Sequence, residues 1–141
     1  MNLRANDRQQ RTFEPVPASA HAARTFVTEI LRRHGASETV VGDYALAVSE
    51  LATNIIEHGG GSDVRICVDV TDPQWWEVEV VGGTSVPPDE VLHPDTWRVA
   101  TAEEVSGRGL GIVRHLMHDV VAGITDGQVS IRCRRQRADA T

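Results

Sequence analysis

Residues 49–58 read Ser49-Glu50-Leu51-Ala52-Thr53-Asn54-Ile55-Ile56-Glu57-His58, and Gly59-Gly60-Gly61 follow directly. Glu50, Asn54 and His58 are four apart, so on a helix they share one stripe. Opposite that stripe Val40, Val41, Tyr44, Leu46, Ala47, Val48, Leu51, Ile55 and Ile56 give a broad apolar face. The spacing predicts one helix over 37–58, opened at Ser37-Glu38 and ended by the glycines. A carboxylate, an amide and an imidazole in a row can supply a base, a metal ligand and a polar contact. An amide oxygen is a hard ligand that suits Mg2+, which keeps several waters and takes other ligands from phosphates. A solvated helix face has the same pattern, and the stripe alone leaves both readings open.

Upstream, Ala22, Ala23, Phe26, Val27, Ile30 and Leu31 recur at helical spacing. Ser19, after Pro15 and Pro17, is the expected N-cap of a helix over 19–34, and Gly35 its stop. Residues 1–12 show no periodicity and are expected to form a leader without structure. Downstream, 64–70 and 76–80 alternate apolar and other residues at period two, with Asp72-Pro73 in the turn between them. Residues 82–107 show neither period, and a loop of that length is often a lid or a binding loop. Ile112, Val113, Leu116, Met117 and Val120 then mark a third helix, and Val129, Ile131 and Cys133 a last strand. Helices and strands are partly segregated. The expected fold class is α+β, a two-layer sandwich with helices on one face of a mixed, mostly antiparallel sheet.

A second chemical signal precedes the third helix: Gly107-Arg108-Gly109-Leu110-Gly111. Glycines let backbone approach a ligand, and a helix N-terminus offers free N–H groups to phosphate. Arg108 adds a charge-assisted contact. Ile112 stands where a dinucleotide fingerprint needs its third glycine, so this is not a Rossmann turn. A plain glycine turn remains the alternative.

Composition excludes several chemistries. All 14 basic residues among the 141 are arginine. Without lysine there is no P-loop, no protein-kinase strand lysine and no Schiff base. Residues 12–131 hold 7 Arg against 18 Asp and Glu, a charge of -11, while 1–11 and 132–137 are basic. An acidic body repels nucleic acid and suits a basic protein partner. No apolar run is long enough to span a membrane. Cys67 and Cys133 have no metal spacing and are expected as free thiols in the cytoplasm. His115, His118 and Asp119 offer a weak metal edge if they share the third helix. Trp75, Trp76 and Trp97 are expected in packing roles.

Taken together, the Glu50-x-x-x-Asn54-x-x-x-His58 helix, two strands, a long loop and Ser106-Gly107-Arg108-Gly109-Leu110-Gly111 resemble the GHKL ATPase superfamily, the Bergerat fold. Within it the chain is similar to the bacterial anti-sigma-factor serine kinases over about 13–134, with a basic flexible tail expected over 135–141. The resemblance implies ATP and Mg2+ as cofactors. It implies Glu50 as the general base toward a serine hydroxyl, and Asn54 as the Mg2+ ligand. His58 matches a frequent position of the same box. Gly107, Gly109 and Gly111 match the phosphate-cradling turn, with Leu110 behind it and Arg108 as a basic residue common there. It implies as partners a sigma factor and an anti-anti-sigma (STAS-type) protein, and a homodimer in the cytoplasm, with no direct nucleic acid or membrane binding.

The sequence departs from that family at one place. The aspartate that receives the adenine amino group is replaced in Val81-Gly82-Gly83-Thr84-Ser85, and no Asp lies between Asp72 and Asp89. Gly82, Gly83 and Thr84 are therefore the expected base-side residues of a partly degenerate ATP site. The leading expectation is an anti-sigma-like regulator. The alternatives are an active Mg-ATP-dependent serine kinase acting on a STAS-type protein, and a sensor of a non-adenine nucleotide.

Overall fold

The computed structural model describes residues 7–84 and 109–137. Its elements are β1 (Arg8–Phe13), α1 (Ala18–Arg33), α2 (Glu38–His58), β2 (Val64–Asp69), β3 (Trp75–Gly83), α3 (Gly109–Leu116), β4 (Asp119–Thr125) and β5 (Gln128–Gln136). The five strands form one sheet in the order β1-β2-β3-β5-β4. Every described pairing is antiparallel, so the sheet is less mixed than expected. The helices bury one face of it, as the segregation of elements predicts.

The core follows from two periods. Ala23, Val27, Ile30 and Leu31 of α1 and Val41, Tyr44, Val48, Leu51 and Ile55 of α2 are buried at helical spacing. Val64, Ile66, Val68, Val78, Val80, Val129, Ile131 and Cys133 are buried at alternate positions of the strands. Leu46, assigned from the sequence to the apolar face, is instead 44% exposed. The helix turns it away from the sheet.

Helix ends obey local chemistry, with one correction. Ser37 Oγ accepts the Val40 N–H at 3.2 Å, so α2 opens where expected. Ser19 is not a cap: it lies inside the first turn of α1, and Pro17 holds the N-cap position without a side-chain hydrogen bond. At the other end of α1, Gly35 takes φ +86° and the Ala36 N–H donates to Leu31 O at 3.0 Å, a Schellman-type stop.

Two strands were not expected. Arg8–Phe13, whose first five residues fall in the leader expected to lack structure, pairs along its length with β2. Phe13 is buried against Phe26 edge-on, with centroids 6.0 Å apart, and the Arg11 guanidinium lies 5.2 Å from the same Phe26 ring. Asp119–Thr125 is β4, and α3 stops at Leu116, so Val120 belongs to the sheet. Asp126 and Gly127 link β4 to β5 with φ of 53° and 77°, the backbone of a tight two-residue hairpin.

The basic stretch expected as part of a flexible tail is structured as far as Arg137. Arg135 pairs with Asp43 of α2 and donates to Leu116 O. Arg134 lies 3.2 Å from Glu77 and stacks 4.5 Å from the centre of Trp75. Arg137 stacks 3.8 Å from the centre of Trp76 and donates to Val70 O, while the Val70 N–H donates to Asp7 O.

Burial pushes the Cys133 thiol from 9.0 up to about 12. The folded state holds this proton more tightly than the unfolded chain, so its contribution is complete below pH 9 and is lost as pH rises toward 12. Unfolding free energy is expected to fall by about 1 kcal/mol between pH 9 and pH 10 from this group. Urea titrations at these two pH values check it, and Cys133→Ala should flatten the slope. The same slope in the variant would contradict the assignment. Tyr44, also raised by burial, adds to the loss only above its ordinary value of 10.0.

Candidate functional site

A cleft opens where the C-terminal half of α2 faces the sheet and α3. From α2 it is lined by Leu51, Asn54, Ile55 and His58, an i, i+3, i+4, i+7 set that makes one helical face. β3 contributes Val80 and Gly83, with Thr84 just beyond, β5 contributes Val129 and Ile131, and α3 contributes Leu110. The cleft is open to solvent and, with the solvent at its mouth included, takes in about 490 Å³. Its wall is largely apolar, and its polar side chains are an amide, an imidazole and a hydroxyl.

Of the stripe read from the sequence, Asn54 and His58 reach the cleft together. Glu50 lies one turn earlier on α2, half-buried, and is not part of the lining. The stripe also does not oppose the apolar face as a separate surface. Leu51 and Ile55 stand between its members and share the cleft with them. His58 Nε2 is buried without a hydrogen bond, 3.6 Å from a Glu57 carboxylate oxygen.

At the end of β3, Gly82 and Gly83 lie against the end of α2. A Cβ on Gly82 would come 2.5 Å from Ile55 Cγ2, and one on Gly83 would come 2.3 Å from Gly59 O. A Cβ essentially never comes this close to a non-bonded atom, so both positions require glycine. The Gly83 N–H donates to Ser62 Oγ at 2.6 Å. Sequence reading missed Ser62. It follows Gly59-Gly60-Gly61 as an ordinary loop residue, and no period or spacing marks it as the clamp on β3.

Gly109, Leu110 and Gly111 are the first residues of α3 rather than a turn ahead of it. Gly107 and Arg108, like Ser85 and Trp97, lie outside the described residues. The proposed metal edge is not built. His118 is off the helix, its Nδ1 accepting the Gln136 N–H at 2.9 Å, and Asp119 opens β4. Among the described residues no group of three His, Cys, Asp or Glu could hold a metal ion, and no helix is long and apolar enough to cross a membrane.

The sequence profile of the histidine kinase-like ATPase domain matches residues 13–134. The chain belongs to this family. The chain is similar in fold to part of a solved structure, that of the RsbU and RsbW domains of Rv1364c from Mycobacterium tuberculosis. That likeness has a TM-score of 0.65 at 17% identity and covers 92% of this chain. The chain spans 33% of the length of that structure, so the likeness speaks for the fold alone. No curated protein matches the domain.

Proposed function

We propose that this histidine kinase-like ATPase domain is a regulator of the anti-sigma kind, which holds a sigma factor or a STAS-type anti-anti-sigma protein and carries an altered nucleotide site. The observation that carries the reading is the cleft on α2, which brings Asn54 and His58 together beside the first turn of α3 in a chain of this family. The likeness in fold to a structure containing an RsbW domain supports the regulatory half. A net charge of -6, concentrated between the basic ends, suits a basic partner surface.

The residues present fit part of a Mg-ATP site. The Asn54 side chain sits in the cleft and offers a hard oxygen of the type Mg2+ accepts. Gly109–Gly111 open α3, where unpaired backbone N–H groups favour phosphate. Bound Mg2+ would offset phosphate charge. The chain's own contribution is to position the phosphates and to shield the base against Leu51, Ile55, Val80 and Ile131. Among the described residues no Asp or Glu lines the cleft.

Titration calorimetry of Mg-ATP with the purified chain tests the site. Asn54→Ala is expected to weaken binding about tenfold or more, a loss of about 1.4 kcal/mol. Equal binding by the variant would remove Asn54 from the metal role. Co-elution with sigma or STAS-type candidates tests the regulatory half. A second reading, serine kinase activity, rests on Glu50, one turn before Asn54 and partly exposed. Phosphate transfer to a STAS-type serine, abolished in Glu50→Gln, would establish it, and transfer unaffected by that substitution would remove Glu50 as the base.

A further inference from the structure

We infer that the free edge of β4 is a self-association surface. A second copy of this chain pairs with it antiparallel, about a two-fold axis beside Ala122, and joins two five-stranded sheets into one. The inference stands apart from the nucleotide-site reading.

β4 and β1 are the two edges of the sheet. An edge strand offers unpaired N–H and C=O groups, and charged residues or prolines along it guard against pairing. β1 is guarded: it carries Arg8 and Arg11, and the Arg11 guanidinium covers Phe26. β4 reads Asp-Val-Val-Ala-Gly-Ile-Thr, with no basic residue and no proline, and its one charge, Asp119, stands at its first position. Among the described residues the backbone of β4 bonds only to β5. The apolar layer under the helices runs out to this edge. Val120, Ala122 and Ile124 pack against the core yet stay half-buried. On the opposite face Val121 is 44% exposed.

The hairpin sets which groups face outward. Asp126-Gly127 is a two-residue turn, so the flanking pair Thr125 and Gln128 exchanges both of its hydrogen bonds. Bonded and non-bonded pairs alternate from there. Val120, Ala122 and Ile124 therefore turn their N–H and C=O groups away from β5. An antiparallel second copy must match outward groups to outward groups. The register that does so over the whole strand sets Ala122 on Ala122 of the second copy. Val120 then lies opposite Ile124, Val121 opposite Gly123 and Asp119 opposite Thr125, so no like charges are paired. Residues opposite each other share a face, and Val120 with Ile124 closes the apolar layer across the junction. A Cβ built on Gly123 meets nothing within 4 Å, so the exposed Val121 side chain finds open space beside that glycine. Two-fold symmetry makes each of these contacts twice.

Sedimentation velocity of the full chain over a range of concentrations is expected to show a dimer of twice 15.4 kDa. Amide hydrogen exchange places the contact. The amides of Val120, Ala122 and Ile124 should gain protection as the dimer forms, while those of Val121 and Gly123, which face β5, are protected at every concentration. Ala122→Pro removes an outward N–H and leaves the pairing with β5 in place. It is expected to weaken dimerisation about tenfold or more. Circular dichroism reports whether this variant folds, and exchange in the parent chain decides the question if it does not. Three results would overturn the inference: a chain that stays at 15.4 kDa up to millimolar concentration, a dimer whose three outward amides exchange as in the monomer, or undiminished dimerisation of folded Ala122→Pro. A monomer whose outward amides are protected only by an added sigma or STAS-type candidate would also overturn it, and would give the edge to that partner.

Discussion

Gly82→Asp is expected to destabilise the fold by about 4 kcal/mol and to gain no affinity for ATP. The sheet brings Gly82 under α2, where the new Cβ would meet Ile55 Cγ2 at 2.5 Å and Ile55 Cδ1 at 2.8 Å. Ile55 is β-branched and held in a helix, so its χ1 has little freedom to swing away. Overpacking of this kind costs about 1–3 kcal/mol. The carboxyl group adds more, because it arrives among buried side chains such as Ile55 and Val80 and must lose its hydration or take up a proton. Gly82→Ala isolates the steric part at about 2 kcal/mol. Urea unfolding at pH 7 measures both. Combining Gly82→Asp with Ile55→Ala opens the space, so the pair should cost less than the two singles added. An aspartate variant as stable as the parent, with tighter ATP binding, would show that the glycines do not close this position.

Tyr44 is the second site of large effect. It is 0% exposed, in the N-terminal third of α2. Its hydroxyl lies 2.8 Å from Trp76 O and 3.0 Å from Cys133 O, and donates its one proton across the seam of β3 and β5. Tyr44→Phe leaves those carbonyls without this donor and is expected to cost about 2 kcal/mol. Tyr44→Ala adds a large cavity and is expected to cost about 4 kcal/mol or more. The comparison separates hydrogen bond from packing. A phenylalanine variant within about 0.5 kcal/mol of the parent would mean that the carbonyls are satisfied without the hydroxyl.

What the sequence made legible tracks how local the signal is. α2 was read almost to its ends because Ser37, a long apolar face and a glycine run all act within a few residues. β2 and β3 were visible in the period-two alternation of 64–70 and 76–80. β1 was not, since Arg8-Gln9-Gln10-Arg11-Thr12 has no apolar period. Its order comes from hydrogen bonds to β2 and from Phe13 reaching Phe26, contacts made only after folding. The start of β4 was absorbed into the helix before it because Val120 continues the apolar spacing of α3. The Asp126-Gly127 pair was the available signal for a hairpin there.

The site divides the same way. Asn54, His58 and Leu110 were found from spacing and from the family resemblance, and the cleft holds all three. Glu50 belongs to the same stripe, yet 100° per residue carries it past the rim of the lining. Val129, Ile131 and Ser62 come from distant segments and join the site only through the topology β2-β3-β5. The glycines at 82 and 83 stood out in sequence as a missing aspartate. In three dimensions they are a close approach of strand to helix, which no one-dimensional pattern displays.

Val70 ties together the two ends of the described fold. The Val70 N–H donates to Asp7 O at 2.7 Å, and Arg137 donates to Val70 O at 3.0 Å. Asp7, before β1, and Arg137, after β5, thus lie at the same end of the sheet, three strands apart. Such a domain can be spliced into a surface loop of another protein, or have its ends joined and be reopened elsewhere, without stretching its sheet. Its entry and exit lie at one end of the sheet, so a host would feel it as a pendant rather than as a spacer.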